Sequence, residues 1–328
     1  MALIPDVAVV GGGLAGALLA LELACLDQRV LLLDDLAQSH LCASQWSYGA
    51  IAPLAGQRWQ QLQRQHGDLG WRRAWFRPLG PGAFLGGCLP LPCSRVRADI
   101  LQLQLPLALE RAGVERLPVR VDRLIPPAGD QRPWRLQLRH QAEPLVVRQV
   151  VLAAGAGCRA LWPELPTSLR VSWAGVLLLQ PQPGGWPWEG PAAMRLPGLF
   201  TRLDLEARAA SLSQEAWQVD PGMLPWGQRW LAGQISLVRP GLVAGAPPDA
   251  GLQERRLRQA LTPIYPDMAH WPADFQQVPV SFCTDGQPLV GPVTGVTGLW
   301  VFAGFSSAFT AIPVIAPVMA QAIAQRQA

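Results

Sequence analysis

Three glycines and one acid carry the clearest chemistry in the chain. Gly11, Gly13 and Gly16 spell G-x-G-x-x-G. The pattern follows a β-branched run, Val7 to Val10, and opens a run of strong helix formers, Ala17 to Leu26. In such a turn the first glycine permits the tight bend. The second lets a pyrophosphate approach the backbone, and the third lets helix and strand pack closely. The helix N-terminus adds free N–H groups and a positive dipole end. Asp34 ends the next apolar run, Val30 to Leu33. It stands about 20 residues beyond the turn, where a carboxylate accepts ribose hydroxyls. Together these residues predict dinucleotide binding, and at this point FAD and NAD fit equally well.

Other chemistry is excluded by composition. The chain has 328 residues and contains no lysine and no asparagine, so its 27 cationic side chains are all arginine. A Schiff base, a phosphate-loop lysine and an N-glycosylation site are therefore impossible. Lysine and asparagine both use AT-rich codons, so the two absences match the codon bias of a GC-rich genome. The six cysteines form no C-x-x-C pair, and the four histidines are far apart, so no metal cluster is expected. Most of the cysteines sit among apolar residues and read as buried small hydrophobes in a reducing interior, and the expected location is cytoplasmic. The net charge is +4 with scattered arginines, which gives no basic stripe for nucleic acid. Val7 to Leu26 and Gly298 to Ala324 are apolar enough to suggest membrane spans. The first holds a glycine cluster and Glu22, and the second holds Pro313 and Pro317. A strand followed by a buried helix explains each better, so no membrane span is expected.

The elements that must position this chemistry follow from the pattern. Strand, glycine turn, helix and strand make a parallel βαβ unit buried on both faces. Gln57 to Trp75 reads as a polar helix, and Phe76 to Ser94 as loop with short strands. Arg97 to Ala112 is a helix closed by Gly113. Leu117 to Leu124, Trp134 to Leu138 and Pro144 to Leu152 read as strands. From Val171 the texture shifts to strands between Pro/Gly turns: Val171 to Leu179, Ala216 to Val219 and Trp230 to Leu237. Asp249 to Leu261 is an amphipathic helix. Pro279 to Pro292 holds the turn Thr284-Asp285-Gly286. Leu299 to Ala303 is the last strand and Ala311 to Gln325 the last helix. The expected fold class is α/β, a Rossmann-like domain with an inserted, mainly antiparallel β domain. The domain bounds are 1–75, 95–168 and 284–328 for the first, and 76–94 and 169–283 for the second.

Four segments resemble FAD-dependent oxidoreductases of the D-amino-acid oxidase and glycine oxidase family. They are Val9 to Gly16 with Leu31 to Asp34; Cys42 to Ser44 through Gly49 to Pro53; Val150 to Gly157; and Asp285 to Pro292 followed by Gly298 to Gly304. The resemblance implies FAD as cofactor, and it implies roles. Gly11, Gly13, Leu14, Ala15 and Gly16 would hold the pyrophosphate, and Asp34 the ribose. The backbone of Val121 would touch adenine. Ser44, Gly49, Ala154, Gly155 and Asp285 would belong to the flavin site. Gly304, Ser306, Ser307, Ala308 and Phe309 would bring a helix N-terminus to the flavin O2 edge, favouring negative charge on the reduced ring.

The chain also departs from that family. Where glycine-oxidase-like members carry an arginine that clamps a substrate carboxylate, this sequence has Val280. The run Gly304 to Phe309 carries no cation either. An unpaired carboxylate in an apolar pocket costs several kcal/mol, so the usual amino-acid anchor is missing. Arg202 and Arg239 are candidate substitutes, each also readable as a surface arginine. Tyr48, Trp173 and Tyr265 are candidates to face the ring, or core aromatics. The main expectation is oxidation of a C–N bond in a small-molecule amine or amino-acid derivative. Hydride would pass to flavin N5, and oxygen or another acceptor would reoxidise the flavin. No catalytic acid or base is named. The alternatives are a non-catalytic flavin-binding protein and a nicotinamide-dependent dehydrogenase.

Overall fold

Short apolar β-branched runs need burial on both faces, and parallel pairing between helical layers provides it. A computed structural model describes residues 4–79, 91–129, 133–181, 194–197 and 200–326. Val7–Val10 and Gln149–Leu152 are buried throughout and pair in parallel at the centre of a six-stranded sheet. The spatial order is Leu289–Pro292, Leu299–Ala303, Gln149–Leu152, Val7–Val10, Val30–Leu33, Glu115–Leu117. All neighbours are parallel except the first pair. The side-chain period of two splits the first strand between two cores. Val7 and Val9 pack with helices Leu14–Ala24, Ala98–Arg111 and Ala308–Gln325. Ala8 and Val10 pack against a three-stranded meander, Val121–Ile125, Trp134–Leu138 and Leu145–Val147.

The second body is one eight-stranded sheet. Its order is Ala273–Cys283, Leu169–Leu179, Arg229–Val238, Ala216–Trp226, Met194–Pro197, Trp71–Leu79, Leu91–Val96, Ala50–Ile51. Pairing is antiparallel except between Met194–Pro197 and Phe76 to Leu79. One face joins the nucleotide-side core through Val176, Leu178, Leu224 and Leu231. The other is covered by helix Ala250–Leu261, with Leu177, Leu179, Ile235, Leu257 and Leu261 in contact.

Several expectations change in the folded chain. The helix expected over Gln57 to Trp75 is Pro53–His66, and Trp71–Leu79 is a strand. Gly67 and Gly70, with φ of 90° and 81°, break the helix and start the extended run. The domain boundary drawn at residue 75 therefore falls inside a strand of the large sheet, which also takes in Ala50–Ile51. Leu117 to Leu124 divides into Glu115–Leu117 and Val121–Ile125, and Pro144 to Leu152 into Leu145–Val147 and Gln149–Leu152, each half in a different sheet. The strand expected from Ala216 to Val219 runs on to Trp226. Ala273–Cys283 is one long strand leading into the turn Thr284-Asp285-Gly286, where no strand is expected from the sequence. Cys88 lies outside the described residues.

The last helix, Ala308–Gln325, is among the described residues the one helix long and apolar enough to cross a membrane. It packs against helix Leu14–Ala24, and its buried positions include Phe309, Ile312, Ala316, Met319, Ala320 and Ile323. Its prolines are accommodated by side chains of helix Pro53–His66. Pro313 has no N–H for the carbonyl of Phe309, and Pro317 has none for that of Pro313. Trp59 Nε1 donates to the Phe309 carbonyl at 2.7 Å, and Arg58 Nε to the Pro313 carbonyl at 3.1 Å.

Candidate functional site

The glycine turn is built for close approach. Gly11 has φ of 110°, and a Cβ there would lie 2.5 Å from the Ala153 carbonyl oxygen. Its N–H donates to the Leu33 carbonyl at 2.8 Å. A Cβ on Gly12 would lie 2.3 Å from an Asp34 carboxylate oxygen, and the Gly12 N–H donates to Asp34 Oδ1 at 3.1 Å. A Cβ on Gly16 would lie 1.9 Å from the Gly11 carbonyl oxygen, so Gly16 serves helix-to-turn packing. Gly13 differs: its Cβ would meet only Cys42 Sγ, at 3.6 Å. Gly13 is the N-cap of helix Leu14–Ala24 and no side chain caps that N-terminus. Its missing side chain thus leaves a cradle in front of helix N–H groups, which suits a phosphate.

This cradle opens into a cleft of about 660 Å³ between the two sheets. The cleft brings together Gly11, Gly13, Leu14, Ala15, Asp34, Ser44, Val121, Ala154, Gly155, Arg202, Val280, Gly304, Ser306, Ala308 and Phe309. At one end are Asp34, Asp35, Arg120, Val121 and Asp122. Burial pushes the Asp34 carboxyl up, against the pull of the Gly12 N–H. Arg120 lies 3.4 Å from Asp122 and 3.8 Å from Asp35 at this mouth. In the middle, Cys42 Sγ lies 3.1 Å from Ser44 Oγ, and burial raises the thiol above its ordinary range. At the other end, Gly304, with φ of 79°, turns the chain from strand Leu299–Ala303 toward the last helix. That helix is also uncapped by any side chain, and Ala308, Phe309 and Ile312 line the cleft. Phe302 and Phe305 stand beside them edge to face, 4.8 Å between ring centres.

Other singled-out residues lie off the cleft wall. Gly49, with φ of 64°, abuts the Val96 carbonyl and turns the chain into the large sheet. Asp285 is exposed, and its Oδ1 accepts from the Gln287 N–H in a turn. Ser307 is exposed as the last helix's N-cap residue. Tyr48 is buried and donates to the Asp220 carbonyl at 3.0 Å, and burial holds its phenol well above the ordinary range. Tyr265 belongs to the core behind the large sheet. Arg239 donates to the carbonyls of Ala244 and Ala246 at 3.1 and 2.6 Å, so it holds a loop whose Ala244 and Gly245 line the cleft. Trp173 does line the cleft and donates from Nε1 to the Ala244 carbonyl at 3.2 Å.

The large sheet forms the wall opposite the last helix. Ala174, Val176, Gln276, Val278 and Val280 alternate along two paired strands and face the cleft. Gln234 joins them through a bulge. Register shifts between Gly175 and Val176 on one side, and between Val219 and Gly222 on the other, leave Gln234 without a paired partner. Bulges of this kind re-aim a side chain. The same irregularity places Asp220, whose carboxylate accepts from Thr201 N at 2.9 Å, Thr201 Oγ1 at 2.7 Å and Arg202 N at 3.2 Å. That fixes the start of helix Arg202–Arg208. Arg202 then reaches the cleft, but its Nη1 donates to Glu206 at 3.1 Å and its Nη2 to the Ser306 carbonyl at 2.7 Å. Gln234, Gln276 and Glu206 were not legible as site residues. Alternation through Gln276, Val278 and Val280 was the available signal for one of them.

Comparison with known proteins agrees with this geometry. The profile described as FAD dependent oxidoreductase matches residues 73–322, and that of an FAD binding domain matches residues 6–69. The chain belongs to the FAD dependent oxidoreductase family. No curated protein sequence matches it closely enough to be called a relative. Among solved structures it is similar to iminodiacetate oxidase from Chelativorans sp. BNC1, at 16% identity over 97% of this chain and 94% of that one, TM-score 0.66. It is similar to glycine oxidase from Geobacillus kaustophilus, at 18% identity over 98% and 94%, TM-score 0.65. It is also similar to fructosyl amine:oxygen oxidoreductase from Aspergillus fumigatus, at 14% identity over 99% and 87%, TM-score 0.66. At these identities the likeness concerns the fold. The cofactor is FAD, and the cleft fits it. The Gly13 cradle suits the pyrophosphate, Asp34 and Val121 stand where the adenosine would lie, and the uncapped last helix closes the far end. The nicotinamide-dependent alternative gives way to the family match.

Proposed function

We propose that this FAD dependent oxidoreductase oxidises the C–N bond of an amine or amino-acid derivative that presents no free carboxylate. The observation that carries the reading is the charge of the cleft's donor end. Val280 stands on the wall, and Arg202, the cation there among the described residues, is already paired with Glu206. A carboxylate placed there would lose its hydration without gaining a partner. An amine needs no such anchor. The amides of Gln234 and Gln276 offer neutral hydrogen-bonding groups on the same wall. The similar structures are named for amine or amino-acid oxidation, which supports the bond class.

FAD supplies the two-electron acceptor for the donor's hydride. The protein's residues hold and orient. The apolar wall of Ala174, Val176, Val278 and Val280 excludes water from the donor. The uncapped N-terminus of Ala308–Gln325 favours negative charge at the far end of the cleft. Oxygen or another acceptor completes the cycle. The described cysteines are all free, which supports a reducing, cytoplasmic setting. Efficient export of the protein by its native cell would overturn that location.

The test is anaerobic bleaching of the bound flavin by panels of amines, N-substituted amines and α-amino acids, beside Val280→Arg. Carboxyl-free amines bleach the wild type. The variant lowers the KM for α-amino acids tenfold or more, equivalent to about 1.4 kcal/mol. A wild type that no amine bleaches sinks the reading and favours a non-catalytic flavoprotein, which the missing anchor also permits.

A further inference from the structure

One buried acid stands behind the cleft and contacts neither the phosphate cradle nor the donor wall. Glu206 is 4% exposed. Its Oε2 accepts from the Ser306 hydroxyl at 2.7 Å, and its Oε1 from Arg202 Nη1 at 3.1 Å. Arg202 Nη2 closes the ring on the Ser306 carbonyl at 2.7 Å. Ser306 and Arg202 line the cleft and Glu206 does not, so one hydroxyl joins this carboxyl to the cofactor space. Ser306 lies one residue before Ser307, the N-cap of the last helix, and on the far side of the six-stranded sheet's centre from Asp34. The cleft-lining acids among the described residues, Asp34, Asp35 and Asp122, are all at the adenosine end. The groups that face Glu206 are Arg202 on its own helix, Asp220 from strand Ala216–Trp226, and the Cys283 thiol from strand Ala273–Cys283.

We propose that Ser306 and Glu206 form a redox-linked proton site. Two electrons and one proton reduce the bound flavin and leave negative charge on its ring. Glu206 then takes up a second proton through Ser306, whose hydroxyl can accept one proton while passing its own to Oε2. Reoxidation returns it. The driving force is like-charge repulsion. New negative charge in the same cleft disfavours the Glu206 carboxylate, and protonating it leaves Arg202 uncompensated to face that charge. Burial already raises the carboxyl above its ordinary range, which puts it nearer to uptake. The inference rests on FAD alone and holds for any donor.

The FAD-loaded protein is reduced electrochemically without oxygen, and proton uptake is read with an indicator dye across the neutral range. The wild type takes up close to two protons per two electrons. Glu206→Gln, which keeps the size and hydrogen bonding, halves that count. Ser306→Ala keeps the count but slows the uptake. A wild-type count of one, or a Glu206→Gln count equal to wild type, overturns the proposal. Uptake at wild-type rate in Ser306→Ala removes Ser306 as the conduit and overturns the pair. A further measurement needs no variant. The infrared difference between reduced and oxidised wild type gains a protonated-carboxyl C=O band, and its absence overturns the proposal even where Glu206→Gln fails to retain FAD.

Discussion

Gly13 and Gly16 belong to one motif but answer to different constraints. A methyl at Gly16 would drive into the Gly11 carbonyl oxygen, whereas one at Gly13 would project into the phosphate cradle at ordinary distance from Cys42. Gly16→Ala therefore destabilises the apoprotein by about 1–3 kcal/mol through overpacking. Gly13→Ala leaves apoprotein stability within about 0.5 kcal/mol. It weakens FAD binding tenfold or more, equivalent to about 1.4 kcal/mol. Denaturant unfolding of the apoprotein and equilibrium FAD titration separate the two effects, and a Gly13→Ala protein that binds FAD like wild type removes the cradle. Arginine, standing in for absent lysine, has a second use at this scale. Arg159 donates to the carbonyls of Pro163, Leu165, Pro166 and Leu169, which a lysine with three donors from one point would not match.

The last helix shows how elements correct one another. Its prolines free two carbonyls, and helix Pro53–His66 supplies Trp59 and Arg58 to them. Phe309 lines the cleft, so the Trp59 bond also fixes part of the cofactor site. Trp59→Phe leaves that buried carbonyl unpaired and costs about 1–3 kcal/mol. Adding Pro313→Ala restores a helix N–H for Phe309 and recovers part of the loss. Thermal unfolding of the two single variants and the double variant gives the coupling, and strict additivity would disprove the pairing. Element boundaries were hardest to read where pairing decides them. Trp71–Leu79 carries arginines and tryptophans without clear alternation. It is a strand because Leu91–Val96 and Met194–Pro197 pair with its two edges. Glu115–Leu117 and Val121–Ile125 read as one run because the change of sheet between them leaves no mark but Pro118.

At the scale of the whole molecule the cleft exists only between two sheets. Glycine turn, Asp34 and last helix come from one, and Ala174, Gln276 and Val280 from the other. Arg202 links them through the Ser306 carbonyl. A ligand spanning that cleft stabilises the native state by mass action. FAD at a hundredfold excess over its Kd adds about 2.7 kcal/mol and raises the Tm by a few degrees. NAD at the same concentration leaves it unmoved. Calorimetry of the apoprotein with each nucleotide checks this, and a shift with NAD alone would contradict the cofactor.

Local chemistry was legible in the chain itself. The G-x-G-x-x-G turn, the strands on either side of it, the acid at Asp34 and the glycine that opens the last helix all depend on neighbours a few residues away. Backbone sterics and periodicity write such features directly into the sequence. The absence of lysine and the valine at 280 likewise constrain chemistry without any fold. Tertiary structure alone decided the rest. It tied Arg202 to the Ser306 carbonyl, sent Tyr48 to the Asp220 carbonyl, and delivered Gln234 through a bulge shared by three strands. Those outcomes turn on contacts between residues up to 172 positions apart, where strand register and burial choose the partner and no local pattern records the choice.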